Sequence, residues 1–143
     1  MNFTLSSKAL SSSKADCLVV AVPEKGDWPA STSEADAALG GQLKALQNNG
    51  DLSGKTGTTL LIPWQEAPWA RVLLVGTGKA DKRTVADVRQ ALSAAVSVLK
   101  DGAARHVIFA LTDTPISGAD AVNTETGKLK LIARTLEEQL YTF

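Results

Sequence analysis

Two glycine-rich segments of the chain have the composition of anion-binding loops. The first, "GDLSGKT" at residues 50–56, places a Gly-Lys-Thr group after an upstream glycine. A phosphate-cradling loop needs four residues between that glycine and the Gly-Lys pair, so that successive amides can wrap the phosphate oxygens. Only Asp51, Leu52 and Ser53 intervene, and Asn49 precedes Gly50. The segment also follows a helical pattern where a phosphate loop would follow a strand, so spacing and context both predict a polar turn. The second segment, Gly76-Thr77-Gly78-Lys79, follows the apolar run "VLLV" and precedes a helical pattern. Open α/β sheets gather ligands at the carboxyl ends of their strands. Glycine amides approach an anion closely, and a helix N-terminus favours negative charge. Gly76, Gly78 and Lys79 are therefore the candidate anion loop. Asp81 stands where the third glycine of G-x-G-x-x-G belongs, so a tight strand-to-helix turn is the stronger expectation.

Metal and nucleophile chemistry has little to draw on. The chain has one cysteine, Cys17, and one histidine, His106. An intramolecular disulfide and a four-cysteine metal site are excluded, and common zinc-hydrolase sites need more than one histidine. A Ser-His-Asp triad would have to use His106. Cys17 heads an apolar run and reads as a small buried core residue. His106 reads as a polar residue at the start of a strand. Trp28, Trp64 and Trp69 lie in or beside proline-containing loops. Local loop packing is expected there, ahead of base stacking or an interface. No residue is assigned a catalytic or metal-binding role.

The elements that must position these residues follow from apolar patterning. Residues 2–6 alternate apolar and polar through Phe3 and Leu5, as a short half-buried strand does. Residues 17–22, "CLVVAV", form a buried strand stopped by Pro23. Residues 11–14 and the segment "PEKGDWPAS" read as turn and loop. A helix capped by Thr32 or Ser33 is expected to carry Ala35, Leu39, Leu43 and Leu46 on one face. Gly40 and Gly41 fall inside it, at a cost of about 1 kcal/mol each, which suggests close contact with a neighbouring element. Strands are expected at residues 58–62 and 71–75, on either side of "WQEAPW". Thr84 caps the clearest helix, whose stripe is Val85, Val88, Leu92, Ala95, Val96 and Leu99, with Gly102 as its stop. Residues 106–111 form a further strand. A last helix carries Leu129, Ile132, Ala133, Leu136 and Leu140 on one face. The order β β α β β α β α predicts an α/β chain, a three-layer α/β/α domain with a mixed sheet.

Composition narrows function. The chain has 143 residues, the size of one domain. It is 44% hydrophobic and 21% charged, which is ordinary for a globular protein and excludes wholesale disorder. Fifteen Lys and Arg balance fifteen Asp and Glu, so the basic excess of a general nucleic-acid binder is missing. No stretch approaches the roughly 18 apolar residues of a spanning helix. The first residues lack an apolar signal core, so a cytoplasmic location is expected.

The segments "GDLSGKTGTTLLI" and "RVLLVGTGK", the Gly40-Gly41 pair before them and the ending "LEEQLYTF" together resemble the N-terminal domain of the leucyl aminopeptidase (cytosol aminopeptidase) family. The resemblance runs from Cys17 to Phe143. It implies a macro-domain-like α/β/α fold. Members of that family are two-domain metalloexopeptidases that remove N-terminal residues, often leucine, with two divalent metals, zinc or manganese. Their metal ligands and catalytic groups belong to a C-terminal domain, and they commonly assemble as hexamers. Some bacterial members also bind DNA.

The family's catalytic signature, N-T-D-A-E-G-R-L, is echoed by Asn123, Thr124, Gly127 and Leu129 in "NTETGKLKL". Here Glu125 replaces Asp, Thr126 replaces Ala, and the second acid is missing. A two-metal site needs several acids at fixed spacing, so no catalytic residue transfers. The resemblance therefore implies that residues 1–143 form a single non-catalytic N-terminal domain that aids assembly or regulation. The cofactors and the catalytic partner domain would lie beyond Phe143. The alternative is a free-standing macro-domain-like binder of a nucleotide-type anion at Gly76, Gly78 and Lys79. DNA binding is a third, less favoured reading, with Lys79, Lys82 and Arg83 as its local basic cluster.

Overall fold

A computed structural model describes residues 2–6, 14–24, 27–64, 69–79, 81–100, 102, 104–116 and 124–141. The expected turn at 11–13, parts of the loops at 25–26 and 65–68, Asn123 and the terminal pair 142–143 lie outside the described residues. The elements are β1 (Asn2–Leu5), β2 (Ala15–Pro23), α1 (Ala30–Ala38), α2 (Gln42–Asn48), β3 (Thr59–Pro63), β4 (Trp69–Gly78), α3 (Val85–Lys100), β5 (His106–Ala110) and α4 (Glu125–Tyr141). One five-stranded sheet has the order β1-β5-β2-β4-β3. The pairs β1–β5, β5–β2 and β2–β4 are parallel, and β3 runs antiparallel to β4 at one edge.

The central strands carry continuous apolar runs, residues 17–22, 72–75 and 107–110, because helices cover both sheet faces. Successive strand residues point to opposite sides. Cys17, Val19, Ala21 and Phe109 pack under Val88, Leu92 and Val96 of α3 and Ile132 and Leu136 of α4. Leu18, Val20, Leu74 and Ile108 pack under Ala35, Leu39 and Leu43. The sheet is therefore the middle of three layers, a mixed α/β/α architecture.

The amphipathic helix begins as its sequence predicts. The Thr84 amide donates to Asp87 Oδ2 at 2.9 Å, and the Asp87 amide donates to Thr84 Oγ1 at 3.2 Å. This reciprocal pair satisfies two helix-start donors at once.

Other expectations need correction. The single helix through Gly40 and Gly41 is two helices. Gly40 has φ 69° and Gly41 φ 83°, backbone that side-chain-bearing residues avoid. A Cβ at either position would meet nothing within 4 Å, so conformation, and not close contact with a neighbour, requires these glycines. Asp36 secures the second helix by accepting from the Leu43 and Lys44 amides at 2.9 and 3.3 Å. The N-cap of α1 is Pro29, not Thr32 or Ser33. Thr32 lies inside the helix and donates its hydroxyl to the Ala21 carbonyl at 2.6 Å. Trp69 is a fully buried strand residue, not part of a loop. Strand β4 runs on through Gly78, so Gly76-Thr77-Gly78 is strand and not turn.

Candidate functional site

The carboxyl ends of β2, β4 and β5 meet on one side of the sheet, where the candidate anion loop lies. There the two glycine-rich segments pack against each other. The Gly57 amide donates to the Gly76 carbonyl at 3.0 Å, the Gly76 amide to the Thr58 carbonyl at 2.8 Å, and the Gly78 amide to the Gly54 carbonyl at 2.9 Å. The Glu24 amide donates to the Gly78 carbonyl at 2.9 Å. A Cβ on Gly76 would strike the Lys55 carbonyl oxygen and Thr58 Oγ1, and one on Gly54 would strike the Pro23 carbonyl. Gly54, Gly57 and Gly78 also have φ of 78°, 84° and 80°, the region glycine enters without penalty. The amides of Gly76 and Gly78 are thus bonded to the chain's own carbonyls, and the Lys79 side chain is exposed.

Arg83 organises the same strand ends from inside. It is 1% exposed. Its Nε donates to the Thr77 carbonyl at 2.9 Å, Nη1 to the Pro115 carbonyl at 2.8 Å and Nη2 to the Gly78 carbonyl at 3.4 Å. Burial lowers its pKa, partly opposed by Asp87. The expected basic cluster of Lys79, Lys82 and Arg83 is corrected accordingly: Arg83 is a buried strut and offers no charge to a surface ligand. Burial likewise lowers the pKa of Lys128, with Asp113 opposing and Arg83 reinforcing. Asp113, in the loop after β5, accepts from the Ser31 amide and hydroxyl at 2.8 Å each and so fixes the start of α1.

The remaining sequence candidates lie apart from this seam. Cys17 is fully buried, and burial pushes its thiol up to about 11. His106 Nε2 lies 3.2 Å from Thr4 Oγ1 at the opposite end of β5. Asp16 accepts from the Arg105 and His106 amides at 2.8 and 2.9 Å, and these bonds lower its pKa. Thr124 Oγ1 accepts from the Gly127 amide at 2.9 Å, so the described part of "NTETGKLKL" starts a helix. Among the described residues no three His, Cys, Asp or Glu side chains converge as metal ligands. No helix among them is long and apolar enough to cross a membrane.

Sequence reasoning passed over an open depression of about 450 Å³ lined by Asp27, Trp28, Ser33, Asp36 and Lys44. Its residues come from α1, α2 and the loop before them, and no local spacing brings them together. The Arg83 strut was equally hidden, because its acceptors are backbone carbonyls.

The mixed sheet between two helical layers is a macrodomain-like fold. The macrodomain of Thermus aquaticus DarG superposes with a TM-score of 0.67 over 94% of this chain and 90% of its own, at 14% identity. The chain belongs to the cytosol aminopeptidase family: the model of that family's N-terminal domain matches residues 19–143. The cytosol aminopeptidase of Pseudomonas aeruginosa is 38% identical over 146 residues, covering 100% of this chain and 28% of the relative. A tomato leucine aminopeptidase variant superposes with a TM-score of 0.68 over 99% of this chain and 28% of its own, at 21% identity. The chain spans 28% and 25% of the first two curated relatives it matches.

Proposed function

We propose that this chain is the non-catalytic N-terminal domain of a leucyl-type aminopeptidase and aids the assembly or regulation of a catalytic C-terminal domain. The match to the family's N-terminal domain across residues 19–143 carries this reading. Peptide cleavage at free amino termini would belong to the C-terminal domain, with two divalent metals, zinc or manganese, polarising the scissile carbonyl and ionising a water. The described residues here bring no three metal-ligating side chains together, and no catalytic step is assigned to them. In this proposal residues 1–143 act as one domain, the parent is cytoplasmic, and its subunits form a hexamer. The stand-alone anion-binder reading has less support, because the Gly76 and Gly78 amides already have acceptors within the chain.

Leucine p-nitroanilide hydrolysis tests the proposal, with manganese and with zinc, on the 143-residue chain and on the full product of its gene. The full product is expected to turn over and the chain alone to be inert. Turnover by the chain that survives removal of contaminating peptidases would overturn the non-catalytic assignment. A coding sequence with no N-T-D-A-E-G-R-L-like segment downstream of Phe143 would overturn the aminopeptidase parent.

A further inference from the structure

Two charged groups of opposite sign around the depression at the corner of α1 and α2, Asp36 and Lys44, are held in place but not paired with one another. Asp36 is fixed because its Oδ1 accepts from the Leu43 and Lys44 amides at 2.9 and 3.3 Å. The ammonium of Lys44 is fixed because it lies 4.5 Å above the centre of the Trp28 ring. An indole face attracts a cation and so orders a long side chain that would otherwise sample many rotamers. Trp28 is in turn anchored by packing against the core beneath α1 and α2. Among the described residues no ion pair joins Lys44 to Asp27 or Asp36.

Opposite charges that line one cavity without neutralising each other can each pair with a charge on a ligand. A ligand that satisfies both must carry an ammonium and a carboxylate a few atoms apart. We propose that the depression between Trp28 and Lys44 binds a free α-amino acid. Its ammonium sits between Asp27 and the outer oxygen of Asp36, and its carboxylate on Lys44 and the Ser33 hydroxyl. The depression is open and mostly polar, about 450 Å³ in volume, so a ligand there is held by its charges and keeps part of its surface in water. The fixed partners lower the ordering cost that a small ligand must overcome. The site is separate from the strand-end seam and does not depend on the peptidase reading.

Titration of the chain with L-leucine, followed by NMR of the Trp28 indole signal, tests the site. A saturable shift with a Kd on the order of 1 mM is expected. Leucinamide lacks the carboxylate and N-acetyl-leucine lacks the ammonium; each should bind at least about tenfold more weakly. Lys44→Gln and Asp36→Asn should each raise the leucine Kd at least about fivefold while the circular dichroism spectrum is retained. Lys44 is exposed, so its variant decides the matter should Asp36→Asn disturb the start of α2. Any one of three results would overturn the proposal: no saturable shift up to about 20 mM leucine, well above the expected Kd; equal binding of the three compounds; or an unchanged Kd in Lys44→Gln.

Discussion

The amide of Gly78 donates to the carbonyl of Gly54 at 2.9 Å, and this bond joins two segments that each look like a phosphate loop when read alone. Glycine serves here for close backbone approach. Gly76→Ala would drive a Cβ into the Lys55 carbonyl and Thr58 Oγ1, and neither atom belongs to a long side chain that could swing away. The expected cost is about 1–3 kcal/mol, as for other overpacked sites, measured as a lower urea midpoint with an unchanged slope. Because the amides are occupied, ATP, NAD and ADP-ribose should give no saturable heat in calorimetry. Micromolar binding that Lys79→Gln abolishes would show instead that the seam opens to a ligand.

Arg83 makes a second prediction. Its guanidinium supplies donors to the carbonyls of Thr77, Gly78 and Pro115, which tie β4 to the loop after β5. Arg83→Met keeps much of the side chain's bulk and removes every donor. A buried acceptor left unpaired costs about 1–3 kcal/mol, so the variant should lose at least that much in chemical denaturation. Arg83→Lys should recover only part of the loss, because a compact ammonium cannot span the fork of acceptors. Full recovery by lysine would mean that charge alone matters at this position.

Where the fold was readable, the pattern was continuous: the apolar run of β2 and the Val88–Leu92–Val96 stripe mark buried surfaces directly. The division between α1 and α2 escaped because Leu39 and Leu43 are both buried in one core under the same sheet face. The helical period therefore carries across Gly40 and Gly41, whose positive φ no spacing reveals. Trp69 was misplaced because Pro68 before it suggested a loop, although the residue pairs with Ala15 at the start of the parallel β2–β4 ladder. The roles of Gly76 and Gly78 depend on Gly54 and Thr58, about twenty residues upstream. The depression draws on three separate elements. Contacts of that range are set by topology and leave no trace in local composition.

The helix that covers the sheet gives a direct measure of its packing. Leu92 is fully buried in the middle of the α3 stripe. Leu92→Ala should cost about 2–5 kcal/mol, the transfer of the lost atoms plus the cavity they leave. Arg89→Ala, on the exposed side of the same helix, should stay within about 0.5 kcal/mol. Equal losses at the two positions would mean that α3 presents a different face to the sheet.

Alkaline pH should destabilise the fold through Cys17. Burial raises its thiol from 9.0 to about 11, against a smaller lowering influence from Arg71. The folded state therefore holds the proton to higher pH than the unfolded state does. The sign follows: the contribution of the neutral buried thiol is fully present below the unfolded value of 9.0 and is lost as pH rises through about 11. Urea denaturation at pH 8 and at about pH 10.5 should show a larger fall in stability for the native sequence than for Cys17→Ala, since lysine and tyrosine titration cancels in the difference. The same burial should keep the thiol inert to a disulfide reagent at pH 8 until the chain opens, because the thiolate is the nucleophile. Labelling should then track the unfolding rate as urea is raised. Parallel pH curves for the two proteins, together with rapid labelling of the folded chain, would place Cys17 near solvent and not under α3.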